Sequence, residues 1–321
     1  MFKRTARSQV DWPVERVVNG KSASRRRILR FLTSYTFVVP AFLYLLVTSI
    51  YPLIYTLQLS LMDVEQGNWY FVGWQHYVEL FEDPWFWNSL KTISLFAIVN
   101  TVLHLSMGMI FALLLNENWF SITLRNIMRG ILLLPWVFST AAAGLMWSLL
   151  YHPFGLFNYV TTALSNRSTP IEFLGDPNVA LWSVVAVSAW KWYPFYMLII
   201  LGGLQTIPLE LYEAAKVDGA NVWHRFRHIT LPQLRPILIA ISALDIITTF
   251  SHVDLFKMMT RGGPLRSTES VAYYIYKVAL LDGNLGYGAA ISTIMLVGLA
   301  FFMVIYLRLL SRGAETGETS F

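Results

Sequence analysis

Six apolar stretches, each long enough to cross a lipid bilayer as a helix, dominate this sequence of 321 residues. A membrane-spanning helix needs about 20 mainly apolar residues, whereas a barrel strand takes about 9–11. Inside lipid, a helix satisfies all of its own backbone hydrogen bonds. The sequence therefore predicts an all-α polytopic membrane protein with six spans. The predicted spans are residues 35–60, 91–115, 128–150, 179–203, 236–258 and 286–308.

The composition agrees with this fold class and excludes others. Hydrophobic residues make up 55% of the chain and charged residues 13%, against about 25% charged residues in a typical soluble domain. A disordered chain and an ordinary soluble enzyme are therefore excluded. The chain has no cysteine, which excludes disulfides, thiolate metal sites and cysteine nucleophiles.

The distribution of lysine and arginine predicts the orientation, because cytoplasmic loops carry an excess of both. Residues 1–34 hold nine of them, whereas the loop 61–90 holds none. The loop 204–235 holds four, and the loop 259–285 holds three, which counts mildly against the assignment. We expect both termini in the cytoplasm and the loops 61–90, 151–178 and 259–285 outside. The net charge of +5 mostly reflects this sorting and indicates no nucleic-acid partner.

The predicted spans divide the chain into three segments. We expect a basic cytoplasmic segment over residues 1–30, a six-helix transmembrane domain over 31–310 and a cytoplasmic tail over 311–321. The apolar run after the basic segment is longer than a signal-peptide core and lacks a small-residue cleavage site, so we expect it to be retained as the first span. The basic segment then suits contact with anionic membrane lipid.

The long cytoplasmic loop, about residues 204–234, has the pattern of two short helices around a turn. Pro208 suits the start of the first helix, Asp218-Gly219 is a turn signal, and Asn221 can cap the second helix. Apolar and charged side chains alternate along the loop, so it suits docking into a groove on a soluble partner. An amphipathic helix lying on the membrane surface is the alternative.

This loop also carries a spaced motif. Glu213-Ala214-Ala215 is followed after three residues by Gly219, and after nine more by Ile-x-Leu-Pro. The pattern resembles, without a gap, the EAA signature of binding-protein-dependent ABC importer permeases, and the resemblance extends over about residues 30–310. Further stretches are similar to the carbohydrate branch of that family, of the maltose and glycerol-phosphate type. They are Asp218-Gly219-Ala220, residues 190–195, and Gly262-Gly263-Pro264 before Ser267-Thr268-Glu269.

The resemblance implies a type I ABC importer permease in the cytoplasmic membrane of a bacterium or archaeon. It would move a sugar or oligosaccharide, with an acidic sugar as one candidate, from an external solute-binding protein into the cytoplasm by alternating access. Its partners would be a second homologous permease and two copies of an ABC ATPase, which would hold ATP and magnesium. In that family the EAA loop docks on the ATPase. The contact residues implied here are Glu213, Ala214, Ala215, Asp218, Gly219, Ala220 and Phe226.

Motifs for enzyme chemistry are absent from the sequence. No Walker A pattern, His-Glu-x-x-His motif or Gly-x-Ser-x-Gly elbow occurs. We therefore expect no catalytic residue, no metal site and no cofactor on this chain. Two alternatives remain open. One is an intramembrane enzyme, for which Lys191 and Asp245 are the candidate pair of groups. The other is a membrane scaffold for a cytoplasmic partner.

Polar residues inside the spans are candidates for the transport pathway, because ionisable groups are costly there. Lys191 and Asp245 lie near the middle of the fourth and fifth spans, so they can pair, either lining the pathway or only fixing helix packing. Sugar recognition also needs aromatic faces and a few polar groups, although single polar residues in spans more often join helices. The candidates are Asn100, His104, Trp190, Lys191, Trp192, Tyr193, Asp245, Thr248, Thr249 and His252.

Overall fold

The structure, a computed structural model, describes residues 38–65, 68–117, 120–165 and 169–318, with side chains given as far as residue 308. The predicted basic segment 1–30 and the side chains of the tail 311–321 lie outside this part. Among the described residues, 38–55 belong to one unit and those from 56 onward to another. The described residues are mostly helical, which confirms the predicted all-α fold class.

Twelve helices and one pair of strands make up the described part of the chain. In chain order they are α1 (Val38–Leu59), β1 (Met62–Glu65), β2 (Asn68–Phe71), α2 (Gln75–Glu82), α3 (Pro84–Asn116), α4 (Ile122–Val137), α5 (Thr140–Leu150), α6 (Leu156–Ser165), α7 (Pro177–Leu204), α8 (Leu209–Val217), α9 (Val222–Phe250), α10 (Asp254–Met259), α11 (Val271–Leu281) and α12 (Leu285–Glu318).

Five of these helices, α1, α3, α7, α9 and α12, are each long and apolar enough to cross a membrane. The remaining predicted span, residues 128–150, is the pair α4 and α5, which meet at 93°. The predicted helix over this range is thus divided into two helices in the structure. Ser139 accepts a hydrogen bond from the Ala142 backbone N at 3.1 Å and so caps α5. Because a serine side chain competes with helical backbone bonds, it starts a new helix inside an apolar run.

The fifth span also differs from its predicted range of 236–258. The helix α9 begins at Val222, where Asn221 accepts a hydrogen bond from the His224 backbone N at 2.8 Å. A five-residue π turn, Phe226–Thr230, then carries the chain without a break into the membrane-spanning part, which ends at Phe250. The predicted second short helix of the cytoplasmic loop is therefore the first turn of a spanning helix.

Residues 61–83, predicted only as part of an external loop, contain a β-hairpin and α2. The strands β1 and β2 are antiparallel, with Met62 opposite Phe71. The His76 ring lies 3.2 Å from the Met62 carbonyl. At Gly286, in the first turn of α12, a Cβ atom would lie 2.1 Å from the same carbonyl oxygen. The hairpin thus packs against the start of α12 at a glycine that has no room for a side chain.

Two clusters of buried apolar side chains fill the bundle. The first includes Phe96 of α3 and Phe256 of α10. The second includes Met197 of α7 and Leu234 of α9. Along α3, the stretch that separates the two clusters carries the buried residues Asn100 and His104. Along α7 and α9, Lys191 and Asp245 lie in the corresponding stretches, so a polar layer separates two apolar ones.

Close contact between α3 and α7 depends on Gly108. A Cβ atom at this position would lie 2.9 Å from the Met197 backbone N and 3.0 Å from the Tyr196 Cβ. Small residues at helix interfaces in membranes let two backbones approach each other in this way. Since the obstructing atoms include backbone, a side chain here forces the two helices apart.

We expect Gly108→Ala to lower the free energy of unfolding by about 2 kcal/mol, the usual scale of overpacking. The matched control is Gly202→Ala, because a Cβ atom at Gly202 meets nothing within 4 Å. Unfolding of both variants in detergent, followed by circular dichroism, measures the difference. Equal midpoints for the two variants would show that α3 and α7 are not held together at Gly108.

Candidate functional site

An ion pair between α3 and α9 lies at the centre of the polar layer. The His104 Nδ1 atom is 3.1 Å from both carboxylate oxygens of Asp245, and His104 Nε2 is 3.2 Å from the Ser188 carbonyl oxygen. The two residues are 1% and 2% exposed. A carboxylate and a carbonyl only accept hydrogen bonds, so both ring nitrogens donate, which is the protonated imidazole. The geometry therefore gives His104 a positive charge opposite Asp245.

Tyr196 of α7 completes this network. Its hydroxyl donates to the Asp245 Oδ1 atom, and its ring stacks on the His104 ring with 5.1 Å between centroids. A charge buried in a membrane protein needs a partner and further hydrogen bonds to be stable. The His104, Asp245 and Tyr196 side chains together, named here the buried triad, satisfy this need and join α3, α7 and α9.

Lys191 has a different partner, at the break between α4 and α5. Its Nζ atom donates to the Phe138 carbonyl oxygen at 2.5 Å and lies 5.0 Å from the centre of the Trp192 ring. Phe138 follows the last residue of α4, where unpaired carbonyls favour a cation. The hypothesis that Lys191 and Asp245 form an ion pair is therefore wrong, because Lys191 binds Phe138 and Asp245 binds His104.

Each of the three aromatic candidates on α7 makes a different contact. Trp192 stacks on His252 with 5.4 Å between ring centroids, so Lys191, Trp192 and His252 form a second group beside the buried triad. Trp190 packs edge-on against Trp147 at 5.3 Å. The Tyr193 hydroxyl donates to the Leu132 carbonyl at 3.1 Å and so joins α7 to α4.

The polar candidates divide into satisfied and unsatisfied groups. The Thr248 hydroxyl donates to the Leu244 carbonyl of its own helix at 2.9 Å. Asn100 donates to the Phe96 carbonyl at 2.9 Å. By contrast, the Asn100 Oδ1, Thr249 Oγ1 and Trp192 Nε1 atoms are buried without a protein partner. Such atoms remain available to water or to substrate hydroxyl groups.

The sequence did not single out three residues that complete these sites, namely Tyr196, Phe138 and the Ser188 carbonyl. A tyrosine inside a span was a usable signal, because a buried tyrosine hydroxyl normally finds a hydrogen-bond partner. No comparable signal exists for a backbone carbonyl. Both carbonyls matter only because the fold places a charged or polar side chain of another residue beside them.

The EAA motif lies on an exposed helix and turn, residues 209–221, named here the coupling segment. Glu213 and Ala214 are exposed on α8, and Gly219 follows with φ = +80°. The Ala220 backbone N donates to the Ala215 carbonyl at 2.8 Å, which closes the end of the helix. The first of the two helices predicted here is confirmed.

Apolar side chains cover much of the surface around the coupling segment. Val217 is 88% exposed, and Val222 and Trp223 just beyond the segment are 73% and 66% exposed. The Trp223 ring contacts Phe226, with 5.6 Å between centroids. A contiguous exposed apolar surface rimmed by charge is typical of a docking site for another protein.

A charged cluster lies in the segment 259–285. Glu269 is 1% exposed and lies 3.3 Å from Arg266 and 3.7 Å from Lys277. Burial raises the pKa of Glu269, whereas the two cations act in the opposite direction. The Arg266 guanidinium also lies 4.0 Å from the centre of the Trp85 ring, which fixes this segment against α3. In the described part of the chain, no three acidic or histidine side chains are grouped to hold a metal ion.

Comparison with known proteins decides the family. The family model of binding-protein-dependent transport system inner membrane components matches residues 104–315. The chain belongs to this family. The permease is 36% identical over 239 residues to the trehalose/maltose transport system permease protein MalF of Thermococcus litoralis, which covers 74% of this chain and 79% of that protein. It is 35% identical over 277 residues to the sulfoquinovosyl glycerol transport system permease protein SmoG of Agrobacterium fabrum. This match covers 85% of this chain and 88% of that protein.

Solved structures share the fold of the permease. A chain of a bacterial ABC transporter involved in the import of the acidic polysaccharide alginate superimposes with a TM-score of 0.77 at 20% identity, covering 90% of this chain and 99% of that one. The predicted family, fold and permease role are thus confirmed. The relatives' role in transport supports a transport subunit over an intramembrane enzyme or a scaffold. The orientation of the termini stays a prediction.

We expect Asp245→Leu to lower the free energy of unfolding by about 3 kcal/mol, because it leaves the buried cation of His104 without a counter-charge. The double variant His104→Leu with Asp245→Leu removes both charges, so it should lose less. Ser251→Ala, directly after α9 and with its hydroxyl bonded to the Ile247 carbonyl, is the control. Denaturant unfolding in detergent measures all four proteins. A double variant that is at least as destabilised as Asp245→Leu would contradict the ion pair.

Proposed function

We propose that this chain is a permease subunit of an ATP-driven importer of a sugar or oligosaccharide. The observation that carries the proposal is the exposed coupling segment, which presents Glu213 and Gly219 on a member of this family. The sugar class rests on the relatives, which include a trehalose/maltose permease and a lactose permease. An external solute-binding protein, a second permease and two ATPase copies complete the proposed assembly.

The proposed role of the coupling segment is to pass movement of the ATPase to the membrane. The turn of Gly219 leads directly into α9, a helix of 29 residues that extends about 43 Å at 1.5 Å per residue. The same helix carries Asp245 of the buried triad. A push on the coupling segment therefore moves Asp245 and, through His104 and Tyr196, the helices α3 and α7.

The proposed substrate pathway passes the break between α4 and α5. Lys191, Trp192 and His252 lie together there, and Thr249 and Trp192 each hold a buried polar atom without a protein partner. Aromatic faces with a few polar groups suit sugar rings. The Lys191 ammonium adds attraction for a carboxylate or phosphate, so an acidic sugar is the second candidate within the same class.

We expect Glu213→Lys to abolish the coupling between ATP hydrolysis and transport, because it reverses the charge at the proposed ATPase contact. The matched control is Glu117→Lys, a charge reversal at another exposed residue on the predicted cytoplasmic side. Reconstituted complexes should show at least tenfold less transport for Glu213→Lys, whereas the control retains it. Insertion and co-purification of the second permease should not change.

The proposed assembly is tested by affinity purification of the full chain after co-expression with the neighbouring transport subunits. We expect a second permease and two ATPase copies in the purified complex, with ATPase activity stimulated by loaded binding protein. A purified complex that transports a sugar without any ATPase subunit would contradict the proposed assembly.

The substrate class is tested with the binding protein and a panel of neutral, acidic and phosphorylated sugars. If the sugar is acidic, Lys191→Met should reduce its transport about tenfold and leave its binding to the external receptor unchanged. If the sugar is neutral, the same variant should affect transport only as far as it destabilises the break. Thermal unfolding of Lys191→Met separates these two effects.

A further inference from the structure

A groove of about 690 Å³ opens on the side of the bundle between α3, α9 and α12. Its volume lies within the range of ligand pockets, about 300–1,000 Å³. It belongs to neither the coupling segment nor the proposed pathway. Its walls are formed by Ile98, Thr101, Val102, Leu105, Leu231, Pro232, Arg235, Leu238, Ile239, Ser242, Ile246 and Tyr306.

A single cation lies about one helical turn from one end of the groove. Arg235 is exposed, and in the described part of the chain no carboxylate lies within ion-pair distance of it. The hydroxyl groups of Ser242 and Tyr306 hydrogen-bond to each other. The rest of the lining is almost entirely apolar. The groove is thus an apolar channel with a positive charge near the end closest to the coupling segment.

The part of the groove between Arg235 and Ile246 matches one leaflet of a bilayer, and Leu231 and Pro232 line the groove about one helical turn beyond Arg235. Arg235 and Ile246 are eleven residues apart on α9, which is about 16 Å at 1.5 Å per residue. Half of a hydrocarbon core about 30 Å thick is about 15 Å. With Arg235 at the headgroup level, the groove therefore reaches the middle of the membrane at Ile246.

The lining and the charge together select the occupant. An acyl chain is apolar throughout and so matches the apolar walls of the groove. A phosphate at its end pairs with Arg235, since anionic headgroups attract cations at the membrane surface.

We propose that this groove is a binding site for one anionic phospholipid, with an acyl chain along α9 and the phosphate at Arg235. Thr101 lies in the groove wall one helical turn from His104. The bound chain therefore covers the membrane side of the buried triad and keeps water from it. Dry surroundings strengthen the attraction between His104 and Asp245.

The first test measures retained lipid. The full chain, purified with its co-expressed partner subunits, is reconstituted in vesicles of equal parts phosphatidylglycerol and phosphatidylcholine and extracted again. Mass spectrometry should find phosphatidylglycerol enriched in the complex, and about fivefold less of it in Arg235→Gln. The matched control, Lys91→Gln, removes another exposed cation on α3 outside the groove and should retain the lipid. Equal retention in Arg235→Gln and the unaltered protein would overturn the proposal.

The second test locates the lipid. A photo-crosslinking residue at Ile239 should label phosphatidylglycerol, and Ile239→Trp, which fills the groove, should reduce retention to the level of Arg235→Gln. The crosslinking protein has an otherwise unaltered groove. It therefore shows whether lipid occupies the groove even if the separate variant Ile239→Trp fails to fold. A crosslink to a protein segment in place of lipid would show that the groove is an interface between subunits.

Discussion

The arrangement of the spans depends on how one buried carboxylate is satisfied. Asp245 lies inside the bundle, where an unpaired charge would be strongly destabilising. Its carboxylate oxygens accept hydrogen bonds from His104 of α3 and Tyr196 of α7. Three helices are therefore held at one depth by directional contacts, which apolar side chains alone do not supply in lipid. The buried triad also makes α3, α7 and α9 respond together when α9 moves.

A second buried charge stabilises the break in the third predicted span. The ammonium of Lys191 lies at the end of α4 and satisfies the Phe138 carbonyl, while Ser139 starts α5. Backbone groups freed by such a break must find partners in a membrane. Lys191 is the partner of one such group at the point where the chain turns by 93°, beside the aromatic side chains of the proposed pathway.

The coupling segment and the buried triad are connected by a single element. The helix α9 starts at Val222, beside the exposed turn of Gly219, and runs to Phe250. The π turn from Phe226 to Thr230 keeps it continuous in front of Pro232. A contact made at the coupling segment is thus joined by one continuous helix to Asp245 of the buried triad, with the proposed lipid groove along the same helix.

The sequence by itself determined the fold class, the approximate spans and, through the EAA motif, the family, because apolar length and a spaced motif are properties of neighbouring residues. It also identified Lys191, Asp245 and His104 as unusual, since charge inside a span is visible without coordinates. Only the tertiary structure decided that His104 pairs with Asp245, that Lys191 binds a carbonyl at a helix break, and that α9 is continuous. Each of these depends on which groups of distant segments lie within about 3 Å of each other, and no local pattern encodes such distances.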